Sequence, residues 1–112
     1  MRTSLASLFA LAACTGVAAD PQPNPRLVQA YYAREVAAYC GLDTPPVEAG
    51  FRSEVRQIMR REGIDEAGKR LARRAAWAAA ELEWSNRGLG GFRGWCRTEG
   101  RSAAEHFLAV DR

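Results

Sequence analysis

From residue 24 onward, apolar residues recur at intervals of three and four, and no stretch alternates with the period of two expected of a half-buried strand. The pattern predicts helices throughout. The first opens with Asn24 as N-cap and Pro25 at the first helical position, where a missing N–H costs nothing. It runs to about Cys40 and stops at Gly41. Val28, Tyr32, Val36 and Tyr39 share one face, widened by Leu27 and Tyr31, so Cys40 ends a buried stripe. A second helix begins after the N-cap Thr44 with Pro45, turns Val47, Phe51, Val55, Ile58 and Met59 inward, and ends at Gly63. The third and longest starts after the N-cap Asp65, with Glu66 at the positive end of its dipole, and reaches about Asn86. Its expected core stripe is Leu71, Ala75, Ala78 and Leu82. The run 75–80, alanine except for Trp77, would let a neighbouring helix come close. Residues 88–94 read as a glycine-rich connection. Ser102, Ala103, Ala104 and Glu105 form a capping-box pattern that opens a short final helix, docked through Phe107, Leu108 and Val110. The fold class is therefore all-α: a small bundle of three main helices plus a short C-terminal helix, one domain over residues 25–112.

The first twenty residues follow another pattern. Arg2 gives a positive start, Leu5 to Ala13 is a short apolar run, and small residues follow, as in an export signal. The run falls short of the roughly 20 apolar residues of a spanning helix. Two processing routes fit. Gly16-Val17-Ala18-Ala19 before Asp20 suits ordinary signal peptidase, which would remove residues 1–19. Leu11-Ala12-Ala13-Cys14 resembles the lipobox of bacterial lipoproteins; that resemblance implies loss of residues 1–13 and acylation of Cys14. Residues 20–24, with Pro21 and Pro23, then form a tether. The expected address is outside the cytoplasm, in the periplasm. The lipobox resemblance adds attachment to the outer membrane, and membrane contact is expected only through that lipid.

Export changes the meaning of the cysteines. Cys40 and Cys96 remain in the mature chain, and in an oxidising compartment two cysteines most simply form one disulfide. The bond would close a loop of about 57 residues, worth roughly 4 kcal/mol in the chain-entropy model. A metal site from Cys40, Cys96 and His106 lacks the close ligand pairs that organise one, and a c-type haem motif is absent, so no metal or cofactor is expected.

The chain carries a formal charge of +3, and every one of its sixteen basic residues except Lys69 is arginine. Arg52, Arg56 and Arg60 recur along one edge of the second helix. Arg61, Lys69, Arg70, Arg73 and Arg74 continue the basic character, against Glu54, Glu62, Asp65 and Glu66. This edge either faces an anionic partner or is solvated surface balanced by i,i+4 pairs such as Glu48–Arg52 and Glu66–Arg70. The modest net charge and the absence of a binding motif speak against nucleic acid. Trp77 and Trp84 lie seven residues apart, offset from the expected stripe, with Arg73 and Arg74 one turn before Trp77. They pack at the edge of the core or stand exposed on a partner surface. Phe92, Arg93 and Trp95, within or beside the glycine segment, are further candidate contacts. That segment follows a helix and lacks the Gly-Lys-Ser/Thr ending of a phosphate loop.

Catalytic chemistry is thin. His106 has no nucleophile or orienting carboxylate at a suggestive spacing. Glu81 and Glu83, two apart on a helix, diverge and cannot act as a carboxylate pair. No catalytic residue is expected, and an enzyme is not expected. Signal, size and two cysteines make the chain similar to small exported helical proteins of bacteria. The expected function is that of a non-catalytic accessory or binding protein of the cell envelope, docking on a larger envelope protein assembly or an anionic envelope surface. Its expected contacts are Arg52, Arg56, Arg60, Trp77, Trp84, Phe92, Arg93 and Trp95. The alternatives are an inhibitor or immunity-type protein of an envelope enzyme, presenting Arg93, and a small hydrolase.

Overall fold

The computed structural model describes residues 21–88 and 90–111. The expected export segment, the two expected cleavage points and Cys14 lie outside the described residues. Helix α1 spans Pro25–Tyr39, α2 Pro45–Glu62 and α3 Glu66–Asn86. The chain then forms α4 (Phe92–Trp95), a π-helical turn (Cys96–Gly100) and α5 (Arg101–Ala109) without a break. The all-α bundle with a short C-terminal helix and one disulfide is the observed fold.

The helix starts follow from their caps. Asn24 Oδ1 accepts from the backbone N–H groups of Arg26 and Leu27, satisfying two donors that the first turn of α1 leaves open. Asp65 Oδ1 does the same for Gly68 at α3, at 2.8 Å. Thr44 holds the N-cap position of α2, but its side chain makes no capping bond. Gly63 ends α2 in the left-handed region, at φ +62°, where a side chain would be strained.

Helix α1 is the hub. It packs against α2, α3, the π turn and α5, whereas α3 makes its main contact with α1 alone. On one side Leu27, Ala30 and Tyr31 share a core cluster with Ala72 and Ala76 of α3 and Val55 and Ile58 of α2. On the other, Ala37 joins Val47, Ala103, Ala104 and Phe107. The disulfide links Cys40 at the end of α1 to Cys96 at the start of the π turn, with Cα atoms 5.3 Å apart. Around it, Tyr39 stacks on Trp84 at 4.8 Å and lies 6.2 Å from Trp95.

Leu108, expected to help dock the last helix, is 38% exposed, and two larger expectations fail. The core stripe of α3 is not Leu71, Ala75, Ala78 and Leu82. Leu82 is 62% exposed, and Ala72, Ala76 and Ala80 are fully buried instead. The buried face continues one turn on to Trp84, whose stacking on Tyr39 fixes the rotation of the helix. Small residues on α3 then receive the bulk of Leu27 and Tyr31. Second, Ser102 caps nothing. The helix already begins at Phe92 and runs through Ser102, because Gly100 packs against the disulfide inside the helix rather than ending a loop.

The α2–α5 contact rests on a missing side chain. A Cβ at Gly50 would overlap the carbonyl oxygen of Phe107, and this is backbone, which cannot swing aside. Gly50→Ala should therefore cost about 1–3 kcal/mol as overpacking, although in an open helix the same change stabilises by roughly 1 kcal/mol. At Gly94 a Cβ meets nothing within 4 Å. Gly94→Ala should be neutral or stabilising by about 0.5–1 kcal/mol. Urea titrations read by tryptophan fluorescence compare them, and equal signs would contradict the described contact.

Candidate functional site

Three surfaces qualify, each on a different part of the bundle. The first is a groove of about 910 Å³ between α1, α2 and the π turn with α5. Its floor is apolar, from Ala30, Ala33, Val36, Ile58 and Ala103, and its rim is polar, including Arg26, Tyr32, Glu54, Arg61, Glu99 and His106. The π turn shapes one wall. Both its ends touch the disulfide, since Cys96 is bonded to Cys40 and a Cβ at Gly100 would come within 2.7 Å of Cys40 Sγ. Thr98 Oγ1 donates to the Gly94 carbonyl at 2.9 Å, and Trp95 Nε1 donates to Glu99 Oε2 at 2.6 Å, so the widened turn is held by side chains. Burial pushes the Tyr32 hydroxyl above its ordinary range. Glu99 and Glu83 push the same way and Arg87 opposes them, so Tyr32 is a neutral donor in the groove.

At the groove edge, Nε2 of His106 lies 2.7 Å from Glu54 Oε1. The two residues are 52 positions apart in sequence, so no local spacing announces them. This is the orienting carboxylate that sequence reasoning missed. Glu54 Oε2 is buried with no hydrogen-bond partner among the described residues. Ser102, one turn before His106, lines the same groove. Among the described residues no hydrogen bond joins Ser102 to His106, so a nucleophile poised by a base is not assembled.

The second surface is the outer face of α2. Arg52, Arg56 and Arg60 are exposed there, and among the described residues none has an ion-pair or hydrogen-bond partner. The acids that could balance them are used elsewhere. Glu48 pairs with Arg34 at 3.0 Å instead of Arg52, Glu54 meets His106, and Glu62 accepts from Asn24. The expected Glu66–Arg70 pair is likewise replaced, by Glu66–Lys69 at 2.8 Å. Tertiary contacts thus leave the basic edge less neutralised than i,i+4 spacing suggests.

The third surface is a shallow recess of about 360 Å³ on the α1–α3 seam, lined by Glu35, Arg70, Arg73, Arg74 and Trp77. Trp77 is 54% exposed. The other aromatic candidates divide. Phe92 is partly exposed with its ring 5.5 Å from Trp84, and Arg93 is exposed. Trp84 is half-buried. Trp95 is 2% exposed, under Arg87 at 5.2 Å, and cannot touch a partner without unfolding its turn. Trp95 directly precedes the bonded Cys96 and lies among Tyr39 and Trp84. Trp95 therefore belongs to the interior and Trp84 to the edge of the core, and the exposed candidates are Arg52, Arg56, Arg60, Trp77, Phe92 and Arg93.

Among the described residues no cluster of His, Cys, Asp and Glu is arranged to hold a metal ion, and no helix is long and apolar enough to cross a membrane. No known protein family, curated protein or solved structure matches the chain.

The His106–Glu54 contact is open to direct measurement. A double-mutant cycle with His106→Ala and Glu54→Gln should give a coupling of about 0.5–1.5 kcal/mol. Additive single effects would mean that the two side chains do not meet in solution.

Proposed function

We propose that this chain is a non-catalytic accessory protein of the bacterial cell envelope, which docks on the acidic face of a larger envelope protein through the outer face of α2. One observation carries this reading. Each acid of α2 is in contact with a residue outside α2, and among the described residues Arg52, Arg56 and Arg60 are exposed without an ion-pair partner. Unbalanced arginines on a rigid helix suit carboxylates, because the guanidinium fork binds them in two-pronged fashion and sheds its water more readily than an ammonium does. Trp77 with Arg73 repeats that chemistry on α3, and Trp and Arg are the residue types that dominate binding energy at interfaces. The export signal and the two-cysteine pattern support the address, with Cys14 as the residue that would carry a lipid anchor.

A second reading, a small hydrolase, rests on the His106–Glu54 contact at the edge of a groove that also holds Ser102. It requires activity against envelope esters or amides that His106→Ala abolishes.

The docking reading is tested by placing a photo-crosslinking residue at Ala49, exposed beside the arginine edge, in the native host. The expected outcome is a protein adduct that falls at least about tenfold when Arg52, Arg56 and Arg60 are changed to Glu. The thermal midpoint of the variant should stay near that of the wild type, since all three side chains face solvent. An undiminished adduct would refute the role of this edge. Flotation of the lipid-free chain with anionic vesicles, lost in the same variant, would replace a protein partner by a membrane surface.

A further inference from the structure

The apolar stripe of α3 that the fold leaves outside has an internal symmetry. Leu71, Ala75, Ala78 and Leu82 occupy the seam positions of a helix pair, with Leu71 and Ala75 half-buried and Ala78 and Leu82 exposed. Read in either direction, the order is large, small, small, large, about a midpoint between Ala76 and Trp77. Large ends with a small centre allow two such helices, antiparallel, to approach closely at the alanines and seal the crossing with the leucines. A stripe that reads alike both ways suits its own copy, because a twofold axis sets each residue against its mirror position.

The flanking charges specify the same arrangement independently. Arg74 and Glu81 border the stripe on one side. Seven residues apart, they are about 10 Å apart along the helix and cannot pair with each other. Among the described residues neither has an ion-pair partner. An antiparallel pair with Ala75 against the partner's Ala78 and Leu71 against the partner's Leu82 sets Arg74 beside the partner's Glu81, and by symmetry does so twice. A parallel pair in register would instead carry the partner's Arg74 and Glu81 to the opposite side of the seam and leave all four unpaired. The charge order therefore selects the antiparallel orientation that the leucines and alanines allow.

We propose that the outer face of α3 is a self-association surface, and that the chain forms an antiparallel twofold dimer through Leu71, Ala75, Ala78 and Leu82, with reciprocal Arg74–Glu81 ion pairs at its edge. The contact is three helical turns long on each side, short of the roughly 1,200–2,000 Å² of a stable interface. The dimer is accordingly reversible and sits at the weak, micromolar end of interface affinities, with a dissociation constant on the order of 10 μM. This surface is separate from the arginine face of α2, although Arg74 also lines the Trp77 recess, so the dimer can stand or fall independently of docking through α2.

Sedimentation equilibrium of the purified protein, without detergent and from about 1 to 200 μM, tests the proposal by bracketing that constant. The wild type should pass reversibly from monomer to dimer across this range. Arg74→Glu and Glu81→Arg should each weaken the dimer at least about fivefold, and the double variant R74E/E81R should recover to within about twofold of wild type. Recovery would distinguish a specific contact from loss of folding. A wild type that stays monomeric throughout would overturn the proposal, as would a dimer unaffected by either reversal or a double variant that fails to recover. Arg52, Arg56 and Arg60 changed to Glu should leave the dimer unchanged.

Discussion

Ala72, Ala76 and Ala80 have no exposed surface because the side chains of α1 lie over them, and this seam decides what the rest of the molecule can show. Alanine contributes little apolar area of its own. Its value is that two backbones approach closely and larger residues on the facing helix fill the space. Once α1 and α3 are joined in this way, Leu82 has no helix left to cover it and Leu71 is only half-buried. Helix α1 has meanwhile given its remaining surface to α2, the π turn and α5. The bundle is built around one helix, and α3 is attached along a single face.

The disulfide makes that economy workable in a short chain. It joins the end of α1 to the π turn, presses Gly100 against Cys40, and gathers Tyr39, Trp84 and Trp95 at the same end. These rings supply the large apolar contacts that the alanine seam lacks, and Trp84 transmits the constraint to α3 by stacking on Tyr39. The same clamp shapes a wall of the groove through Thr98 and Glu99. Crosslink, helix rotation and groove thus form one mechanical unit, whereas the arginine face of α2 stands apart from it on solvent.

Much of this was legible in the residues. Asn24-Pro25, Gly63 and Asp65 mark helix boundaries through local chemistry, and the structure reproduces them. The Cys40–Cys96 bond followed from the two cysteines that remain, beside Cys14, in the mature part of a chain expected to be exported. What failed was decided by distant contacts. Hydrophobicity favours the Leu71–Leu82 stripe, and only the partner of Trp84 shows why the alanine face wins. The useful signal was the four-residue spacing from Ala72 through Ala76 and Ala80 to Trp84, which ends on a large aromatic. Ser102 carries a capping pattern that the continuous helix overrides. His106 and Glu54 meet across 52 positions, and no sequence pattern could join them. Glu48 and Glu66 likewise satisfy the i,i+4 rule on paper but pair with Arg34 and Lys69, which are better placed.

The rotation of α3 is the claim on which the exposed leucine stripe and the Trp77 recess depend. Hydroxyl-radical footprinting of the native protein at submicromolar concentration, read residue by residue by mass spectrometry, tests it most directly. Leu82 and Trp77 should be oxidised at close to the rates of the urea-unfolded chain, while Trp95 and Leu27 should be strongly protected. Protection of Leu82 at that dilution, with oxidation of Trp84 in its place, would mean that α3 is turned the other way and that the alanine seam does not hold the bundle together.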